Sequence, residues 1–201
     1  MEYRNWHQGL ALFLFMWAIA YVIYRIRPEI SPAEFNFIYW IFLLVVSINV
    51  AIRSNSHTSS GQRILMYTLV APGTVLISRM LFNIVYLILI AMAFYLAMLL
   101  LFYPQITLEL EYVLLILSGG ASIGIVLAFT SALSRHVSNQ NTVLSILSIP
   151  ILIPVIILLN SIGANLLMGN DLQSGKFVAI AGITMLSLAL SMVLFPYIWK
   201  D

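Results

Sequence analysis

Cysteine is absent from the 201 residues. The chain therefore forms no disulfide, no thiolate metal site and no thiol redox pair, and it attaches no cofactor through a C-x-x-C-H motif. Charge is the next scarcity: only 8% of residues are Asp, Glu, Lys or Arg, against about 25% in an ordinary soluble domain. The net charge of +2 is small, and no Lys/Arg cluster forms a phosphate-binding stripe, which removes nucleic acid as a partner. Catalytic motifs are missing too. There is no G-x-x-x-x-G-K-[ST] loop to cradle nucleotide phosphates, so any ATP is handled by another subunit. No H-E-x-x-H occurs, and no Ser/His or carboxylate pair falls at membrane depth. An intramembrane hydrolase and a proton-coupled pump are thereby disfavoured, and the chain reads as a non-enzyme.

What is abundant is apolar: 62% of residues are hydrophobic, more than a soluble fold can hide. The runs at 9–24, 35–52, 74–103, 112–134, 142–160 and 177–199 contain a single charged residue, Arg79. Each is long enough to cross about 30 Å of hydrocarbon. In lipid every backbone N–H and C=O must be satisfied within the segment, so such runs are helices unless a barrel closes. The period-two alternation of barrel strands does not occur. The connecting segments leave no room for a soluble catalytic domain. The sequence thus predicts an all-α polytopic membrane protein, one domain over 1–201, in which six transmembrane helices form a bundle embedded in the lipid bilayer.

With the N-terminus inside, the inner segments hold Arg4, Arg53, Arg63, Arg135 and Lys200, with Arg79 at the membrane edge. The outer segments hold Arg25, Arg27 and Lys176, diluted by Glu29, Glu34, Glu109, Glu111 and Asp171. The inward bias places both termini in the cytoplasm. Ala18-Ile19-Ala20 is similar to a signal-peptide cleavage site. The apolar run continues through Tyr24, however, so a retained helix is the better reading.

Along the chain, Arg27-Pro28-Glu29-Ile30-Ser31-Pro32 reads as a tight turn, because two close prolines forbid a continuous helix. Residues 54–61 are the most polar stretch and belong in water. After them, Gln62 to Val70 reads as a short helix capped by Ser59 or Ser60 and stopped by Ala71-Pro72-Gly73. It is too short to span, and Ile64 and Leu65 share its apolar face, suited to the membrane surface or to a partner's groove. Arg79, in the long third span, is placed near the inner headgroups, where snorkelling explains it. In the fourth span Gly120, Gly124 and Ala128 form a small-x-x-x-small stripe that lets helix backbones approach closely. Pro150 and Pro154 predict a kinked fifth span on the bundle interior. Asn160, Asn165 and Asn170 with Gly163 and Gly169 read as a polar outer loop. His7, His57 and His136 fall in water-exposed inner segments, and Tyr3, Trp6, Tyr103, Tyr197 and Trp199 at the interfacial belts.

Taken in order, Ser60-Gly61-Gln62-Arg63-Ile64-Leu65, the Thr68-Leu69-Val70-Ala71-Pro72 segment and the stretch from Val143 to Pro154, with its Leu144-Ser145-Ile146-Leu147 core and two prolines, resemble the CcmB family. Those proteins are haem-exporter membrane subunits of bacterial cytochrome c maturation. The resemblance implies an ABC-type permease of the bacterial inner membrane. Its implied partners are a separate ABC ATPase subunit, further cytochrome c maturation membrane subunits and a periplasmic haem chaperone. It also implies that the loop between the second and third spans is a coupling helix received by the ATPase. In this chain that role maps onto Ser59, Gly61, Gln62, Arg63, Ile64 and Leu65. No cofactor is expected on this chain alone, and haem enters at the level of the complex. Two features depart from the family pattern: about eight residues precede the first span where the family has a longer amphipathic helix, and the residues flanking Gly61 are not acidic. The rival functions are a non-transporting membrane scaffold and an ABC exporter permease for an unrelated lipid or saccharide.

Overall fold

The computed structural model describes residues 3–56, 72–103, 110–134, 139–169 and 174–198. These form six helices: α1 (Tyr3–Ile26), α2 (Pro32–Ser56), α3 (Pro72–Phe102), α4 (Leu110–Leu133), α5 (Gln140–Leu167) and α6 (Ser174–Ile198). No strand occurs among the described residues. Five helices carry stretches long and apolar enough to cross a membrane: Pro32–Ile52, Met80–Phe102, Leu110–Leu133, Gln140–Leu167 and Gly175–Val193. In α1 the apolar stretch so defined, Leu14–Ile26, is shorter, although the helix itself runs 24 residues.

The turn between α1 and α2 is built by local chemistry. Ser31 is the N-cap of α2: its carbonyl accepts from Phe35 N at 2.9 Å, and its Oγ accepts from Glu34 N at 3.3 Å. The Glu34 carboxylate reaches back to accept from Ser31 N and Ser31 Oγ, both at 3.0 Å. This is a reciprocal capping box with Pro32 at the first helical position, where its missing N–H costs nothing. Arg27, at the end of α1, donates to the same Glu34 carboxylate and closes the hairpin.

At the centre stands α4, which packs against α3, α5, α6 and α2. It is buried almost continuously from Gly119 to Ala132, with Ala121 only half-buried. A helix enclosed on all sides must have small side chains where neighbours come closest. A Cβ on Gly124 would lie 3.0 Å from the backbone Cα and N of Ile84, and one on Gly120 would lie 3.0 Å from Ile88 Cγ1. Ala128, 4% exposed, joins Met80, Ile125 and Ala132 in the same α3–α4 seam. The outer helices give the lipid-facing surface: Leu81, Phe82, Val85 and Leu89 of α3, and Val178, Met185 and Leu186 of α6, are exposed. A soluble protein rarely exposes so much contiguous apolar surface.

Two readings of the fifth span need correction. Asn160, Gly163 and Asn165 are not in a loop: α5 continues to Leu167, and Asn165 Nδ2 donates to Ser161 O one turn back. The chain turns only at Gly169, whose φ is +71°. Asn36 of α2 meets the carbonyl oxygens of Asn160, and Asn165 bonds within its own helix, so the polarity of this stretch does not mark its end. Pro150 and Pro154 lie inside the continuous helix, but both are exposed on its outward face rather than turned to the bundle interior. The face that packs on α2 and α4 is instead Leu144, Ser148, Leu152, Val155, Leu159 and Ile162.

Candidate functional site

At the end of the bundle that carries the 27–31 turn, three helices, α2, α4 and α5, converge on one amide. Asn36, in the second turn of α2, is fully buried. Its Nδ2 donates to Asn160 O at 2.6 Å and to Asn160 Oδ1 at 2.7 Å, binding α2 to α5. Its Oδ1 accepts from Trp40 Nε1 at 2.9 Å and from Tyr112 OH at 2.9 Å, binding α2 to α4. Room for this amide exists only because residue 163 is glycine: a Cβ there would stand 2.1 Å from Asn36 Oδ1 and 3.1 Å from the Tyr112 ring. An amide buried without partners in hydrocarbon would cost several kcal/mol, so its complete pairing is what allows it at this depth.

Aromatic rings surround the amide. Tyr39 and Trp40 meet edge to face at 5.1 Å, Tyr39 and Phe94 stack at 5.6 Å, and Tyr95 and Tyr112 lie 5.2 Å apart. Tyr39 OH also donates to Ala91 O at 3.0 Å, tying in α3. The cluster continues to α1 through Phe42, which stacks on Phe15 at 6.0 Å, and through the edge contact of Tyr24 with Phe102 at 5.7 Å. Such contacts prefer offset and edge-on geometries and each adds about 0.5–1.5 kcal/mol beyond burial. The node contains no ionised group, and no cluster of three His, Cys, Asp or Glu side chains occurs among the described residues. Its chemistry is structural: it fixes the relative positions of α2, α3, α4 and α5 at one membrane face.

Further from this face the helices are joined by hydroxyls. Thr130 and Ser148 share a buried hydrogen bond of 2.8 Å between α4 and α5. Thr184 Oγ1 donates to Ser122 Oγ at 3.0 Å between α6 and α4. Most of these hydroxyls also return a bond to a carbonyl three or four residues back, so the polar groups are satisfied within helices as well as between them. On the outside of the bundle, between α2 and α5, lies a groove of about 240 Å³ lined by apolar side chains, with Asn160 among them. It is smaller than the about 300–1,000 Å³ of common small-molecule sites.

The residues expected to couple to an ATPase, Ser59, Gly61, Gln62, Arg63, Ile64 and Leu65, lie outside the described residues. So do His57 and His136. Gly120, Gly124 and Ala128 come together on the α3 side of α4, while Pro150 and Pro154 sit apart from them on α5. The Asn36 node was missed in the sequence. Its members are separated by up to 124 positions, and the only local signal is an asparagine inside an otherwise apolar run.

Six packed helices with an apolar outer surface and cross-linked polar groups inside define a multi-pass membrane protein. Its family is settled by comparison: the family model described as CcmB protein matches residues 7–197, and the chain belongs to the CcmB family. It is accordingly a membrane component of the cytochrome c maturation ABC system. Searches of curated proteins and of solved structures gave no match.

Proposed function

We propose that this chain is the permease subunit of an ATP-driven complex in the bacterial inner membrane. In this reading it works with a separate ABC ATPase and further maturation subunits to export haem or to release it to a periplasmic haem chaperone. The observation that carries the proposal is the family match over nearly the whole chain. A division of labour fits the sequence, which has no nucleotide-binding loop of its own. Both termini lie in the cytoplasm, so the Asn36 node faces the periplasmic side, and Ser59, Gly61, Gln62, Arg63, Ile64 and Leu65 form the coupling element on the opposite face. Rigid helix ends on one side and a non-spanning segment on the other suit a bundle that transmits ATPase motion rather than performing chemistry.

Affinity purification in mild detergent tests this proposal, with partners identified and haem measured by absorbance. The expected result is a copurifying ATPase whose ATP hydrolysis this chain stimulates. A stable assembly in which the chain leaves ATP hydrolysis unaltered would identify a scaffold instead.

A further inference from the structure

Asn160 is only half used by the node. Its backbone O and Oδ1 both accept from Asn36, while Nδ2 makes no hydrogen bond to any described residue. The side chain also lines the groove between α2 and α5, whose walls include Trp40, Ile41, Leu44, Ile153 and Ile157. An amide N–H beside an apolar groove in hydrocarbon calls for an acceptor from outside the chain.

The depth of Asn160 indicates which acceptor. α5 has 28 residues, about 42 Å at 1.5 Å per residue, so it exceeds the about 30 Å hydrocarbon core by about 12 Å. With that excess shared between its ends, Asn160, about 10 Å short of the Leu167 end, lies just beneath the hydrocarbon limit. Acyl ester carbonyls of a glycerolipid sit at that level. A cation lies alongside: Lys176 of α6 donates to Ser161 Oγ, and Ser161 follows Asn160 at about 100° around α5. A hydroxyl satisfies one of the three ammonium donors, and no carboxylate pairs with Lys176 among the described residues.

We propose that the α2–α5 groove binds one glycerophospholipid of the adjoining leaflet. One acyl chain lies along Leu44, Ile41, Ile153 and Ile157, an ester carbonyl accepts from Asn160 Nδ2, and the phosphate pairs with Lys176. The lipid thereby completes the polar node from outside and supports the α2–α5 contact.

Trp40 is buried directly behind the surface of the groove wall, so it reports occupancy by a brominated acyl chain, whose bromines quench indole fluorescence at short range. The full chain with Trp6→Phe, Trp17→Phe and Trp199→Phe, purified with its copurifying partners in dodecyl maltoside, is titrated with brominated phosphatidylglycerol and separately with brominated diacylglycerol. Saturable quenching is expected at one phospholipid per chain. Diacylglycerol, which has the esters but no phosphate, is expected to bind severalfold more weakly. Lys176→Gln should abolish that difference, and Ile153→Phe with Ile157→Phe should abolish saturable quenching. Each of these results would overturn the proposal: quenching that only follows the brominated fraction of the micelle, the same affinity for both lipids, saturable quenching that survives the groove-filling pair, or no quenching because a partner helix occupies the groove.

Discussion

The smallest decisive feature is the hydrogen on Gly163. Alanine there would place Cβ 2.1 Å from Asn36 Oδ1, closer than any packed carbon and oxygen, so the amide would have to move and its bonds to Trp40 and Tyr112 would stretch. Gly163→Ala is expected to destabilise the bundle by about 1–3 kcal/mol, seen as a lower unfolding midpoint in detergent. Gly182→Ala is the control, because nothing lies within 4 Å of its added Cβ, and its midpoint should hold or rise slightly. Asn36 itself gives a second test. Single hydrogen bonds between membrane helices average only about 0.6 kcal/mol, so one bond would not make Asn36 critical. Asn36→Leu, however, leaves the Trp40 N–H and the Tyr112 O–H without their acceptor in a closed site, each worth about 1–3 kcal/mol. The leucine variant should therefore lose well more than the single-bond value, and a loss no larger than 0.6 kcal/mol would show that the node relaxes freely.

At the scale of the helices, two kinds of residue shape the bundle differently. Gly124 lets α4 and α3 approach until a Cβ would touch backbone at 3.0 Å. Backbone cannot rotate away as a side chain can, so Gly124→Leu should separate the pair and reduce folded yield on size exclusion far more than Gly175→Leu, where the space is open. The prolines of α5 act on its backbone hydrogen bonds, since their rings face outward. We expect Pro150→Ala with Pro154→Ala to keep the bundle folded, because the packed face is untouched, yet to lower cytochrome c maturation severalfold. Unchanged maturation would reduce the prolines to a bent scaffold. The spans were legible because runs of about 20 apolar residues leave the backbone no alternative to helix. Their ends were less legible. Asn160, Gly163 and Asn165 have loop composition, but Asn36 and the Tyr112 ring sit against that stretch of α5. A polar residue satisfied by a helix far away in sequence has no local signature. The Ser31 to Glu34 capping box is a local four-residue pattern, yet from this stretch only the proline turn was read and the span was begun at 35, because the two prolines drew the reading to the turn rather than to the helix start.

For the whole molecule, topology and coupling are the claims to test. The chain has no cysteine, so single cysteines introduced at Ser31, Gln105 and Asn170 can be labelled without background. All three are expected to react with an impermeant thiol reagent from the periplasmic side, and labelling only after the cytoplasmic face is opened would invert the bundle. The central claim is that an ATPase drives this bundle through the segment from Ser59 to Leu69. Burying one Leu or Ile side chain contributes about 1.5–3 kcal/mol, so Ile64 and Leu65 together can supply much of a docking helix's hold, and aspartate at both positions would reverse that contribution. The direct measurement is the amount of ATPase that copurifies in mild detergent with the chain and with its Ile64→Asp, Leu65→Asp variant, both checked for membrane insertion. The expected result is normal ATPase stoichiometry on the unaltered chain and release from the inserted variant. An inserted variant that keeps its ATPase at the same stoichiometry would contradict the coupling role of this segment.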